Sequence, residues 1–184
     1  MGVMEIKTER LTIKKIKKTD KKQLVDLIGD FRVSKTLSNV PYPYTDKDAE
    51  YWLNDVKNSK FKLNIFLDNI LIGGVGLRNM DIDYYELGYW IGFKYWGKGY
   101  ATEACYGLLN YVKKNTAFKY LKAYVYKENI ASSNVLKKIG FRQTGDGKIF
   151  SLSKQENIPC INFEYCFRNS AKPAFNLESK SANF

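Results

Sequence analysis

The pattern of apolar residues in this chain predicts one mixed α/β domain built around a single sheet. Three observations lead there. Strand-like and helix-like runs interleave along the chain instead of falling into separate blocks. A glycine-rich turn, Gly97-Lys98-Gly99, joins a strand rich in aromatic and branched residues to a helix-like run from Ala101 to Lys114, and another strand follows. That unit is a crossover, so its two strands run parallel. Finally, 184 residues with 45% apolar and 27% charged side chains have the size and make-up of one globular domain with its own core.

The elements follow in order. Leu11 to Ile16 reads as a first strand, after which Thr19 or Asp20 caps a helix over Lys21 to Ile28 with Leu24, Val25, Leu27 and Ile28 as its apolar face. Phe31 to Leu37 reads as a short helix, stopped by Pro41-Tyr42-Pro43-Tyr44, where two prolines force an extended or turning path. Thr45 or Asp46 then caps a helix to about Lys57 that carries Tyr51, Trp52, Leu53 and Val56. Lys62 to Leu67 and Ile70 to Leu77 form a hairpin across the turn-prone pair Asp68-Asn69. Gly73, Gly74 and Gly76 in its second strand require a bulge or a close backbone approach.

Tyr84 to Phe93 is the strand entering the glycine turn, and the helix leaving it has Ala104, Cys105, Leu108, Leu109 and Val112 on its apolar side. Lys119 to Tyr126 alternates Leu121, Ala123 and Val125 with Lys122, Tyr124 and Tyr126, as a strand does. Ala131 to Ile139 is a helix ended by Gly140, and Phe141 to Thr144 and Ile161 to Phe167 supply final strands around a charged loop. Residues 1–168 make the domain; the polar stretch 169–184 reads as a loosely held tail.

Composition removes several kinds of chemistry. The chain has no histidine, which excludes Ser-His and Cys-His nucleophile pairs and histidine metal sites. Its three cysteines (Cys105, Cys160, Cys166) have no metal-type spacing. Cys160 and Cys166, six residues apart on one strand, lie about 20 Å apart, too far to bridge. The net charge of +11 raises the question of a nucleic-acid partner. However, only five of the 30 cations are arginine (Arg10, Arg32, Arg78, Arg142, Arg168), and readers of nucleic acid favour its planar fork. Weak association with RNA or the ribosome is the most this charge implies, with no specific nucleic-acid partner. No apolar run approaches the roughly 20 residues of a membrane span, and the N-terminus lacks a signal-peptide block, so a cytoplasmic protein without a membrane partner is expected.

A glycine turn between a strand and a helix start aims backbone N–H groups and the positive end of the helix dipole at one point, which suits a phosphate. Gly92 to Lys98 fits the spacing of a nucleotide P-loop, but Gly99 stands where magnesium needs Ser or Thr, and four bulky residues fill the interval. A dinucleotide fingerprint lacks its third glycine and its ribose-binding acid.

A third pattern fits. Trp96-Gly97-Lys98-Gly99-Tyr100-Ala101 resembles the acetyl-coenzyme A (acetyl-CoA) loop of the GCN5-related N-acetyltransferases (GNAT), Arg/Gln-x-x-Gly-x-Gly/Ala before a helix, with Trp96 in place of Arg/Gln. Glu86-Leu87-Gly88-Tyr89-Trp90-Ile91 ahead of it, Asn129 to Phe141 behind it, and Pro43-Tyr44-Thr45-Asp46 are similar to the ribosomal-protein-alanine acetyltransferase-like (RimJ/RimL-type) branch. The resemblance spans about residues 6 to 168. It implies the acyl-CoA N-acyltransferase fold: a mixed, mostly antiparallel sheet flanked by helices and splayed at one parallel strand pair. It also implies acetyl-CoA as co-substrate, no metal, and an amine acceptor such as a protein N-terminus, a ribosomal protein's among them, or a small-molecule amine, served by a monomer or homodimer.

By match, Gly97, Lys98, Gly99, Tyr100 and Ala101 hold the pyrophosphate, and Trp96 borders them. Small residues at 97, 99 and 101 let the backbone come close, and Lys98 adds charge. The coenzyme arm runs along the entering strand, with backbone contacts at Tyr89 and Ile91, where Gly88 marks a bulge that opens the slot. An N–H near Ile91 is the oxyanion donor. Glu86, matching the family's glutamate, is the proton acceptor for an amine whose free pKa is about 8 to 10.4. Asp81 and Asp83 make that mouth acidic. The tyrosine that protonates the departing thiolate in many members is Leu136 here, so Ser132 is its substitute; Asn129 matches a coenzyme-arm contact and is also placed to cap its helix. Tyr42, Tyr44 and Trp52 either line the acceptor pocket or belong to the core. A non-catalytic acyl-CoA-binding module and a basic RNA-associated protein are the rival readings.

Overall fold

A computed structural model describes residues 4–81 and 84–167. Strands β1 (Glu5–Lys7) and β2 (Leu11–Lys14) lead into helices α1 (Lys21–Ile28), α2 (Phe31–Ser34) and α3 (Asp46–Asn58). Strands β3 (Lys62–Leu67), β4 (Ile70–Asp81) and β5 (Tyr84–Ile91) follow, then α4 (Tyr100–Asn115), β6 (Tyr120–Tyr126), α5 (Ile130–Lys138), β7 (Arg142–Ser151) and β8 (Glu156–Cys166). Eight strands form one sheet in the order β1-β2-β3-β4-β5-β6-β8-β7, and of these pairings only β5–β6 is parallel. This is the mixed, mostly antiparallel sheet with a single parallel pair that the sequence implies.

Each face of the sheet has its own core, because β3 and β4 are buried on both sides. Ile13, Leu63, Ile65 and Ile72 pack with Leu108 and Val112 of α4 and Leu136 of α5; Phe66 and Leu71 pack with Leu24 of α1 and Leu53 and Val56 of α3. Thr45 caps α3 reciprocally: its hydroxyl accepts from Asp48 N–H (3.3 Å), and its own N–H donates to the Asp48 carboxylate (2.8 Å). Asp68 and Asn69, with φ of 48° and 65°, turn the β3–β4 hairpin in the mirror-image geometry that matches strand twist. The glycines of β4 serve as expected: Ile72 is the extra residue of a bulge opposite Ile65 and Phe66, and a side chain on Gly73 would begin 2.3 Å from Trp90 O.

Several expectations change. Asp20 sits at the N-cap of α1 without a side-chain cap bond; its carboxylate instead accepts from Lys17 N–H (2.9 Å), closing the short 3-10 turn before the helix. Strand β1, three residues with only Ile6 buried, is too short to leave a periodic signal. The charged loop expected between Thr144 and Ile161 is instead most of a long β7–β8 hairpin. Strand β7 is the sheet's edge and buries only Ser151, so no alternation of apolar residues announces it. The tail, residues 169–184, lies outside the described residues. No helix among the described residues is long and apolar enough to cross a membrane.

Candidate functional site

The glycine turn has a left-handed backbone and opens onto an uncapped helix start. A 3-10 turn over Phe93–Tyr95 ends β5's exit, Gly97 and Gly99 take φ of +74° and +80°, and α4 begins at Tyr100. Glycine is needed at both positions for this left-handed backbone. Crowding is not the reason at Gly97, where an added side chain would meet nothing within 4 Å. Gly99 is the N-cap of α4 and brings no side-chain cap, so the first N–H groups of the helix keep their donors for a ligand. Lys98 is exposed, its ammonium 5.9 Å from the Tyr95 ring centroid. Trp96 folds back: its indole N–H donates to Ile91 O (2.6 Å), and its ring meets Phe93 edge-on.

The slot beside the cradle comes from strand divergence. β5 and β6 pair only from Tyr84↔Tyr120 to Glu86↔Lys122 and then part. Ile91 is opposite Gly73 of β4, and Gly92 N–H donates to Ile72 O (2.9 Å). In an antiparallel ladder this makes Ile91 a pair without mutual hydrogen bonds, so its N–H and C=O, and by alternation those of Tyr89, are directed away from β4 and toward the gap. Trp96 occupies the Ile91 carbonyl, and the Ile91 N–H is the donor the slot offers. Gly88 is not a bulge: it pairs in regular register with Gly76, and the register shift lies at Asn79/Asp81. The splay follows from where the β5–β6 pairing stops, and an added side chain at Gly88 would meet nothing within 4 Å.

Across the gap stands the start of α5. Asn129 caps it, Oδ1 accepting from Ser132 N–H (3.1 Å). The Ser132 hydroxyl lies 2.6 Å from the Tyr89 hydroxyl, which also donates to Ser132 O (3.0 Å). Burial, with Cys105 nearby, pushes the Tyr89 hydroxyl well above its usual value despite the Ser132 bond, so it stays protonated. Leu136 is fully buried in the core and carries no proton to give.

One cavity of about 530 Å³ runs from Asn129 and Ser132 past Gly88 and Tyr89 to Glu86, and on to Asp48, Trp52 and Asp55. Glu86 is opposite Arg78 in the β4–β5 register, and Arg78 Nη2 donates to its Oε2 (2.5 Å). Its other oxygen has no hydrogen bond among the described residues. Lys62 pairs likewise with Asp55. Tyr44 and Trp52 belong both to the cavity wall and to the second core. Burial, and then the Asp48 charge, raise the Tyr44 hydroxyl. Tyr42 packs against Phe31 with the rings tilted and their centroids 4.7 Å apart, half exposed, and is not part of the cavity wall. Asp83 and the Asp81 side chain, expected to make this mouth acidic, lie outside the described residues.

Arg78 and Tyr124 also line the cavity, and the sequence reading had missed both. Arg78 was within reach once the β4–β5 register was known, because cross-strand pairing sets it against Glu86. Among the described residues no cluster of carboxylates and thiols could hold a metal ion.

Comparisons with known proteins agree with this geometry. A family model for an acetyltransferase (GNAT) domain matches residues 10–142. The uncharacterized N-acetyltransferase YnaD of Bacillus subtilis is 31% identical over 146 residues, 77% of this chain and 85% of that protein. The crystal structure of a GNAT-family acetyltransferase from Bacillus anthracis superposes with a TM-score of 0.79 at 28% identity, covering 89% of this chain and 98% of that one. The RimL ribosomal L7/L12 α-N-protein acetyltransferase, solved with coenzyme A, shares the fold alone, at a TM-score of 0.77, 13% identity, and 89% and 98% coverage.

Proposed function

Because the chain belongs to the GNAT acetyltransferase family, on its RimJ/RimL-like branch, and is an acetyl-CoA-dependent N-acetyltransferase, we propose that it acetylates a primary amine by direct attack in a ternary complex. The amine is a protein N-terminus or a small molecule. The observation that carries this reading is the single cavity joining Ser132 at one end to Glu86 and Asp48 at the other, so that a thioester and an amine can meet inside it.

The residues fit the coenzyme. The open first turn of α4, with Gly97 and Gly99, suits the pyrophosphate, and the outward backbone groups of Tyr89 and Ile91 suit the arm. Bound acetyl-CoA supplies an acyl group already activated as a thioester. The Ile91 N–H then stabilises charge growing on the carbonyl oxygen. Glu86, oriented by Arg78, accepts the proton that the amine gives up, directly or through water. Ser132, held by Tyr89 and by the Asn129 cap, gives a proton to the departing sulfur and takes one back from water. The new amide forms as the C–S bond breaks.

Acid and aromatic groups at the acceptor end favour a cation. Asp48, Asp55 and Glu86 outnumber Lys62 and Arg78 on the cavity wall, in a chain whose net charge is +11. Steady-state release of free thiol with a panel of peptide N-termini and small amines tests the reading. Glu86→Gln should lower kcat on every accepted amine by about 10²- to 10⁴-fold, the usual range for general acid–base groups. Equal turnover by wild type and Glu86→Gln would remove Glu86 from the proton path.

A further inference from the structure

Arg10 has no part in the roles above, yet it meets the phosphate loop in several places. Its Nη1 donates to Lys98 O (3.1 Å), and its Nε donates to Glu103 Oε2 (2.7 Å). The guanidinium carbon lies 4.6 Å from the Tyr100 ring centroid, and Nη2 lies 3.5 Å from where a side chain on Gly99 would begin. Glu103 is tied down from its other oxygen as well: Oε1 accepts from Arg10 N–H (2.8 Å) and from the Thr8 hydroxyl (2.6 Å). The turn between β1 and β2 is thereby fastened to the loop and to the first turn of α4.

Two physical consequences follow. A trans peptide is planar, so the Lys98 carbonyl and the Gly99 N–H point in opposite directions. Holding that carbonyl on Arg10 keeps the Gly99 N–H facing the other way. Rotation of the same peptide, easy beside a glycine, would exchange a donor for a carbonyl oxygen at the cradle. Glu103, moreover, puts a carboxylate in the first turn of a helix whose N-terminus receives an anion, and such a charge repels pyrophosphate unless it is neutralised. The loop's own sequence does not correct this. Trp96 stands where the family pattern has Arg or Gln, and its one donor is engaged by Ile91.

We propose that Arg10 is a positioning residue for the coenzyme's pyrophosphate: it locks the Lys98–Gly99 peptide and cancels the charge of Glu103. The guanidinium that the loop motif lacks comes from the opposite end of the domain's sequence. The inference rests on residues 97–101 being the pyrophosphate cradle.

The test compares wild type, Arg10→Met, Arg10→Lys and Arg10→Met/Glu103→Gln, by calorimetry with coenzyme A and by kinetics with acetyl-CoA and with S-acetylpantetheine, which has the thioester arm but no pyrophosphate. Arg10→Met should weaken coenzyme A binding about tenfold, the scale of a lost charge-assisted hydrogen bond, and leave kcat/KM for S-acetylpantetheine unchanged. Adding Glu103→Gln should recover part of the loss. Arg10→Lys, which keeps the charge without the fork, should fall between wild type and Arg10→Met, and carries the comparison if the Met variant does not fold. Coenzyme A affinity within twofold of wild type in the substituted proteins, or equal losses with both acyl donors, would overturn the proposal. Wild type binding coenzyme A no more tightly than pantetheine would overturn the cradle itself, and the role of Arg10 with it.

Discussion

The glycine turn with the free edge of β5, which we propose holds the coenzyme, and the far end of the cavity, which we propose takes the acceptor, are built from different materials. The first is mostly backbone: Gly97 and Gly99 in left-handed conformation, the uncapped start of α4, and the free edge of β5 where β6 leaves it. The second is side chain: Asp48, Trp52 and Asp55 of α3, Lys62 of β3, Arg78 of β4 and Tyr124 of β6. A backbone site tolerates most substitutions of side chain and fails at the few positions where conformation is special. A side-chain site fails one residue at a time, and each failure touches a different property of the acceptor.

The largest effect expected of that contrast is at Gly99. A valine there must hold φ near +80°, a strain of about 1–3 kcal/mol, so Gly99→Val should weaken coenzyme A binding by about 10- to 100-fold. Lys98→Ala, one residue away but exposed, should cost under about fivefold. Calorimetry on the two variants checks this; a larger loss at Lys98 than at Gly99 would mean that charge, not backbone, makes the cradle. On the other side, Trp52→Ala should raise KM for the amine and leave coenzyme A affinity alone.

Next in size is the pair at the seam. Tyr89 is on the coenzyme strand, but its hydroxyl meets Ser132 across the gap. Removing one such bond costs about 0.5–1.5 kcal/mol, so Tyr89→Phe should lower kcat about 2- to 10-fold with little change in KM for acetyl-CoA. Ser132→Ala should lower it more, and the double variant no further than Ser132→Ala alone. Independent, multiplying losses would show that Tyr89 does not act through Ser132.

The same contrast explains what could be read from the sequence. Gly97-Lys98-Gly99 and the strand before it are contiguous, and the physics of a helix start is local, so the glycine turn, the helix after it and the parallel crossover were legible. The acceptor wall draws on residues from 24 to 152, and nothing in the sequence joins Arg78 to Glu86 until strand register does. Tyr42 and Tyr44 show the limit: two residues apart and chemically alike, one packs against Phe31 outside and the other is half-buried in the cavity wall. Strand β7 and Gly88 were misread for a related reason. An edge strand buries too little to show a period, and a glycine in a strand does not reveal which neighbour departs.

The smallest effect probes the fastening between the two ends of the fold without any ligand. Burial raises the Glu103 carboxyl, but the Thr8 hydroxyl, the Arg10 N–H and the Arg10 guanidinium outweigh it, leaving the folded pKa below the ordinary value. An unfolded glutamate titrates near about 4.3, so between the two values the unfolded chain holds the extra proton and stability falls as pH drops. The contribution is complete above about pH 4.3 and disappears as pH falls through the folded pKa. A partly exposed ion pair of this kind contributes little, so the apo protein should lose at most about 2–4 °C of Tm to this group on acidification. Thermal melts of wild type and Glu103→Gln from pH 6 down to pH 3 should therefore converge as pH falls. If the gap between them stayed constant across that range, Glu103 would not be the ionised partner of Arg10, and the guanidinium's hold on the glycine loop would rest on the Lys98 carbonyl and the Tyr100 ring.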